Sequence, residues 1–510
     1  MTNDTHCILL YGNARQPLVK YAGTFRIASE LRKHGYNTQC IDLTAYNKFD
    51  DTLKETLSNL ITDKTLWVGI STTFLTNIFG YPFARSQQAF DKRFAKYETI
   101  ADEIKRFVEF VKSLNPNIKL IAGGNRKFMI EQFGFKIFQF YADKEIIEFT
   151  QWCEGTNNNI NLDFYGNSIQ GSEYSDFNTS QILYTKEDII DECDTLPVEV
   201  SRGCIFKCKF CAFPLNGKTK GDWIKNANVL RDEFNKNYEL HGVTYYSFSD
   251  DTYNDSADKV KLLYDDVFSK LNFKLSFTTY LRLDLMIRYP ETVKYLQESG
   301  LKSALFGIET INHASAKSVG KGLDPKLQLE FVEEIKNNEF KNILTNSGFI
   351  LGLPHDREED MYKLEEFIFS DKNKLDLCSV EPLYITPPSS KVNRTYYSTF
   401  DLEHEKYGYE CYEQIEDSSY TDIRWTNSVT GMTFDKAFAF TQQLTTKIES
   451  SSKFKYGEFH LAYIRSLGIP DQDIFSMSIP EINTKYNLKH LSDIKKEKYR
   501  QRLLELSKLK

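Results

Sequence analysis

The chain has no apolar run long enough to cross a membrane in its 510 residues, so a membrane-spanning fold is not expected. Its first residues, Met1-Thr2-Asn3-Asp4-Thr5-His6, lack the basic and apolar segments of a secretory signal, so export is not expected either. Basic charge is also short: 64 Lys and Arg against 71 Asp and Glu give a formal net charge of −7. A surface of that sign offers no footprint for nucleic acid, and no nucleic-acid partner is expected. No repeat of fixed period and no low-complexity tract is present, which excludes solenoids and arrays. Cysteine is sparse, nine in all, and thinly spread outside one short segment. An odd, scattered count excludes a disulfide scaffold and fits a reducing cytoplasm. What is present is globular: 41% hydrophobic and 14% aromatic, with room for two or three domains.

The one concentration of cysteine is Ser201-Arg202-Gly203-Cys204-Ile205-Phe206-Lys207-Cys208-Lys209-Phe210-Cys211. Its spacing is Cys-x3-Cys-x2-Cys. Three thiolates closing on one region suit a soft metal or an iron–sulfur cluster. A cubane of four irons held by three thiolates keeps one iron open, and an open position marks a site of chemistry. Gly203 lets the backbone turn before the first cysteine. Phe210 supplies a flat apolar wall. The bland alternative is a structural zinc site completed by Cys193 or His241 in a protein that is not an enzyme.

Around this segment the chain reads as two α/β units. Residues 1–155 alternate strand and helix: apolar strands at 7–11, 38–43, 66–71 and 118–124, with amphipathic helices at 23–34, 53–61 and 100–114. A doubly wound, Rossmann-like sheet is expected, with ligands beyond the carboxyl ends of its strands at Gly12-Asn13, Ser71-Thr72-Thr73 and Gly123-Gly124. The long connection from Phe74 to Tyr97 is a candidate lid. Residues 156–196, polar and then acidic, read as a linker. From 197 to 390 a regular βα series gives six units, a partial (β/α)6 TIM-like barrel whose strands end at polar or glycine residues. Those ends are the cysteine loop, Ser249-Asp250-Asp251, Arg282, Gly307-Ile308-Glu309, Gly352-Leu353-Pro354 and Thr386-Pro387-Pro388. Residues 391–510 are tyrosine-rich and then mixed, mainly helical. Lys489–Lys510 reads as a helix with eight basic residues against three acids and a solvated face.

These stretches resemble the radical S-adenosylmethionine (SAM) enzymes. The cysteine triplet with Phe210 before its last member matches that family's cluster motif. The resemblance implies that Cys204, Cys208 and Cys211 hold a 4Fe–4S cluster. It implies that SAM chelates the fourth iron and is cleaved reductively to a 5′-deoxyadenosyl radical. An external donor of flavodoxin or ferredoxin type would supply the electron. Asp250 or Asp251 occupies the place of the residue that holds the SAM ammonium, and Arg282 the place of the residue near its carboxylate. Gly307 and Glu309 lie in the family's fourth-strand Gly-Ile-Glu. Gly352 lies in its adenine-contacting segment. The first domain is similar to the cobalamin-binding domain that precedes many radical SAM cores. That implies cobalamin-dependent methyl transfer to an unactivated carbon. The loop from Gly12 to Gly23 carries no histidine to ligate cobalt from below, so a domain that only shapes a cleft, with a cobalamin-free rearrangement or oxidation, stays open. Cys7, Cys40 and Cys153 do not form the second cluster motif of methylthiotransferases. The substrate is not legible.

Overall fold

The computed structural model describes residues 4–13, 16–46, 49–73, 97–124, 130, 133–139, 141–156, 164–165, 168–170, 177–390, 396–417 and 420–510. The candidate lid from Phe74 to Tyr97 lies, but for its last residue, outside them.

Five short strands begin the chain: β1 Cys7–Tyr11, β2 Thr38–Asp42, β3 Trp67–Ser71, β4 Lys119–Gly123 and β5 Lys136–Gln139. All of β1 and β2 is buried, as parallel strands covered on both faces must be. That is why they read as unbroken apolar runs rather than alternating ones. The sheet does not stop at residue 155. Strand β7, Ser168–Gln170, pairs parallel with β5, and β6, Phe164–Tyr165, pairs antiparallel with β7. The full order is β2-β1-β3-β4-β5-β7-β6. Part of the expected linker is therefore sheet edge, too short to give a periodic signal.

The second sheet holds six parallel strands in chain order. They are β8 Leu196–Val198, β9 Tyr245–Phe248, β10 Ser276–Leu281, β11 Leu301–Glu309, β12 Leu344–Leu351 and β13 Leu377–Pro382. Helices Ala227–His241, Ala257–Asp266, Glu291–Glu298, Pro325–Asn337 and Glu358–Phe369 connect them. This is the expected partial barrel. Buried strand residues Phe248 and Phe277 stack on each other and on Phe268. Inward positions such as Ser247, Leu305 and Gly348 face a cavity.

The C-terminal region is a hairpin, β14 Tyr409–Asp417 with β15 Tyr420–Asn427, followed by five helices. Trp425 on β15 is fully buried against the barrel and donates from Nε1 to Leu383 O at 2.8 Å. The last helix, Leu488–Ser507, is not a solvated face. Tyr499 and Leu503 join the core of the first domain with Leu53 and Leu57. Asp42 N donates to Tyr499 Oη at 2.9 Å, and Lys508 pairs with Glu55. The C-terminal helix thus packs on the first domain, and Lys498 and Arg502 are among the basic residues it leaves in water.

Candidate active site

Strand β8 ends at Val198, and the chain leaves the sheet towards the cysteines. Its path is fixed by backbone pairs: Arg202 N to Trp223 O at 3.0 Å and Lys225 N to Val200 O at 2.9 Å. Gly203 has φ +70, and a Cβ there would stand 2.5 Å from Leu215 Cβ, so this turn requires glycine. Cys204 O accepts from Gly217 N at 2.7 Å, Lys209 N donates to Val319 O at 3.1 Å, and Phe400 N donates to Lys209 O at 3.0 Å. The loop is thus tied to the segment after it, to the chain beyond β11 and to the C-terminal region. Phe210 packs against the main core.

All three thiols are free. Cys204 is buried and the other two are half-buried. Each sulfur has its own polar neighbour. Cys204 Sγ lies 3.2 Å from Thr252 Oγ1 and accepts from Phe206 N at 3.4 Å. Cys208 Sγ faces Arg282 Nη1 at 3.7 Å, and Cys211 Sγ accepts from Asn216 Nδ2 at 3.2 Å. Such donors stabilise thiolates and tune a cluster's potential. Without metal, burial pushes the Cys204 and Cys211 thiols up. Among the described residues no three His, Cys, Asp or Glu side chains gather on one metal ion. The alternative fourth ligands are elsewhere: Cys193 Sγ contacts Ser466 O at 3.8 Å, and His241 lies near Asp188.

The two aspartates after β9 separate sharply. Asp250 is fully buried and does not reach the cavity. Its carboxylate accepts from Val200 N at 3.2 Å and from Ser201 Oγ, and Lys259 Nζ stands 3.6 Å away. It anchors the strand end beneath the cysteines, whereas its expected place was beside the cofactor. Asp251 lines the cavity and accepts from Gly203 N. Burial, then the Asp250 charge, raises its carboxyl to about 7. Its folded form therefore keeps a proton that the unfolded chain has lost. The stability this brings is intact below about pH 4 and gone once pH passes about 7. Asp251→Asn is expected to melt with the ligand-free wild type at pH 4 and above it at pH 8. Equal melting temperatures at both pH values would refute the assignment.

Arg282 is also more committed than expected. Its Nε and Nη2 pair with Asp284 at 2.9 and 2.6 Å, and its guanidinium stacks 3.6 Å from the Phe206 ring centre. The remaining nitrogen faces Cys208. The side chain is thus held with one nitrogen toward a thiol of the cysteine loop. Glu309 lines the cavity and pairs with Lys321 Nζ at 3.2 Å. Lys321 Nζ also donates to Gly307 O at 2.8 Å, which closes the end of β11. Gly352 is not a cavity residue. Its φ is +86, and a Cβ would stand 2.3 Å from Trp425 Cη2. The glycine makes room for the hairpin tryptophan, while Gly348 to Ile350 of the same strand line the cavity.

That cavity has a volume of about 1570 Å³. It runs from Ser71, Gly123 and Gly124 at the ends of β3 and β4 to Asp251 and Glu309 in the barrel. The volume exceeds the roughly 300–1,000 Å³ of ordinary ligand pockets, so it has space for more than one large ligand. Both sheets present carboxyl ends to it, as α/β ligand sites require. At the junction, Arg26 of helix Ala22–Lys33 pairs with Asp143 and with Glu199, the latter at 3.0 Å. Glu199 also holds Arg202 at 3.1 Å. Burial alone raises the Glu199 carboxyl, but Arg202 and then Arg26 outweigh it and bring it to about 2. A fixed charge pair thus joins the first domain to the residue two before Cys204.

Sequence reasoning missed Lys259 as the partner of Asp250 and the Arg26–Glu199 pair, whose members lie far apart in the chain. It also missed Glu458, whose place at a helix start is an ordinary one for an acid.

Residues 198–368 match the family described as the Radical SAM superfamily. An uncharacterized methyltransferase of Pyrococcus horikoshii is 24% identical over 37% of this chain and 39% of its own length. The ribosomal protein uS12 methylthiotransferase RimO of a Hydrogenobaculum species is 27% identical over 34% of this chain and 43% of its own. The chain spans about two fifths of the length of these curated relatives. Among solved structures, the radical SAM methyltransferase TsrM of Kitasatospora setae, with cobalamin and a 4Fe–4S cluster bound, superposes with TM-score 0.62 at 13% identity. That alignment covers 98% of this chain and 100% of TsrM. The cobalamin-dependent SAM radical enzyme OxsB, with aqua-cobalamin and SAM bound, gives TM-score 0.51 at 15% identity over 72% of this chain and 52% of OxsB. These superpositions share the fold.

Proposed function

We propose, for a chain that belongs through residues 198–368 to the radical SAM superfamily, that it cleaves SAM reductively at a 4Fe–4S cluster on Cys204, Cys208 and Cys211. The reaction we favour is cobalamin-dependent methyl transfer to an unactivated carbon. The observation that carries this reading is one cavity continuous from the glycine edge of the first sheet to the barrel strand ends around the cysteine loop. The donor set fits: three free thiols, each beside a hydrogen-bond donor, and the cavity-facing Asp251 carboxylate next to the cysteine loop.

The cluster, when bound, supplies the electron that splits the sulfonium, and cobalamin, when bound, carries the methyl group. This chain's residues do the rest. Asp251 accepts hydrogen bonds from the SAM ammonium, which draws its raised carboxyl into the ionised form. Arg282, held by Asp284, steadies the Cys208 thiolate. Gly348 to Ile350 leave space for the nucleoside. The Arg26–Glu199–Arg202 pairs fix the first domain over the cysteine loop. Barrel walls keep water from the reacting carbon. An external flavodoxin- or ferredoxin-type donor supplies electrons. Among the described residues no helix is long and apolar enough to cross a membrane, and we place the reaction in the cytoplasm.

A cobalamin-free radical rearrangement or oxidation is the second reading, favoured by the absence of histidine from Gly12 to Gly23. Anaerobic gel filtration after incubation with hydroxocobalamin separates the two. Retention of corrinoid absorbance with the protein is expected. A corrinoid-free protein peak would leave only the second reading.

A further inference from the structure

Helix Glu458–Ser466 begins inside the barrel. Glu458 is its first residue. Thr278 Oγ1 of β10 donates to Glu458 Oε1 at 3.5 Å. The Glu458 backbone N–H reaches the Asn346 side-chain oxygen of β12 at 2.8 Å in the amide orientation that satisfies both atoms. The carboxyl is therefore planted between two barrel strands, on the floor of the cavity that Asp251 and Glu309 line above.

Its environment is odd for an acid. Glu458 is only 8% exposed, and its Oε2 has no hydrogen-bond partner. Two of the other acids lining this cavity are neutralised within the chain: Glu309 by Lys321, and Glu199 by Arg202 and Arg26. Among the described residues no Lys, Arg or His forms a salt bridge with Glu458. Neighbouring inward strand residues, Ser247, Thr278, Ser303 and Ser379, are small and neutral. Arg465 of the same helix is turned to Asp471 and lies 3.9 Å from the Tyr245 ring centre. A buried carboxyl with a free oxygen costs stability unless something outside the chain answers it.

We propose that Glu458 is the substrate anchor, and that it receives a protonated amine of a small substrate at the barrel floor. The inference rests on reading the chain as a radical SAM enzyme. It adds that the substrate enters with a basic nitrogen down, which turns its other end up towards Asp251 and the cysteine loop. A cationic nitrogen supplies both the charge and the donor that Oε2 lacks. A neutral hydroxyl of the same shape supplies only a weaker donor.

The test uses full-length, cluster-reconstituted protein with SAM and a matched pair of probes, phenethylamine and 2-phenylethanol, titrated calorimetrically. The amine is expected to bind the wild type at least about tenfold more tightly than the alcohol. Glu458→Gln is expected to lower amine affinity by about tenfold and leave the alcohol within about twofold. Glu458→Asp, which keeps the charge, is expected to keep the preference for amine. Equal affinities for the two probes in the wild type, or no detectable amine binding, would overturn the proposal. So would an unchanged preference in folded Glu458→Gln. Formation of 5′-deoxyadenosine by the wild type without substrate is scored separately. Its failure would remove the radical SAM reading and leave amine recognition to stand or fall on the titration.

Discussion

Cys208→Ala is expected to lose the brown colour, to lose most of its roughly four irons per chain, and to form no 5′-deoxyadenosine. The physical reason is local. Cys208 is the middle ligand, and its sulfur is the one that Arg282 faces. Removing it leaves two thiolates for a cubane that needs three from this chain. It also leaves the Arg282 guanidinium, already paired with Asp284 and stacked on Phe206, without its third partner. The fold is expected to survive, because the loop's backbone ties run through Arg202, Cys204, Lys209 and Gly217. Circular dichroism of the variant should therefore match the wild type while iron content collapses. A variant that keeps its iron and its SAM cleavage would show that Cys208 is not a ligand.

The second large effect is on stability. Trp425→Ala is expected to destabilise the protein by about 3–5 kcal/mol, the ordinary range for a fully buried large aromatic. Three losses combine. The indole fills the space above Gly352, its Nε1 satisfies Leu383 O, and its ring meets Tyr409 edge-on with centres 5.2 Å apart. Those contacts join the hairpin to the ends of β12 and β13. Gly352→Ala attacks the same joint from the other side, and overpacking of that kind costs about 1–3 kcal/mol. Both variants should shift the denaturant midpoint downwards, with Trp425→Ala the larger. A midpoint unchanged in Trp425→Ala would mean that the hairpin does not help hold the barrel.

What the sequence made legible was what is local in the chain. The Cys-x3-Cys-x2-Cys spacing lies within eight residues, and each βα unit announces itself through apolar strands, glycine stops and caps such as Asp324 before Pro325. Six barrel strands and the doubly wound first sheet followed from those signals. Strand ends were less legible. The chain leaves β8 at Val198 because Asp250, fifty residues on, draws Val200 N out of the sheet. Strands β6 and β7 were invisible, since two and three residues carry no period. Partners were least legible. Asp250 and Asp251 are adjacent and chemically alike, yet Lys259 takes the first and the cavity takes the second. Gly352 read as a ligand contact because its reason, Trp425, arrives from another region. Tyr499 meets Asp42 across 457 residues, and Glu458 meets Thr278 across 180. No periodicity reports contacts at that range.

The central claim is that three thiols of one loop hold a cluster that reduces SAM beside a substrate cavity. Its most direct test is anaerobic incubation of reconstituted wild-type protein with SAM and dithionite, followed by chromatography for 5′-deoxyadenosine and metal analysis of the same sample. The account predicts 5′-deoxyadenosine with about four irons per chain. Protein that carries one zinc, no iron and intact SAM would contradict it.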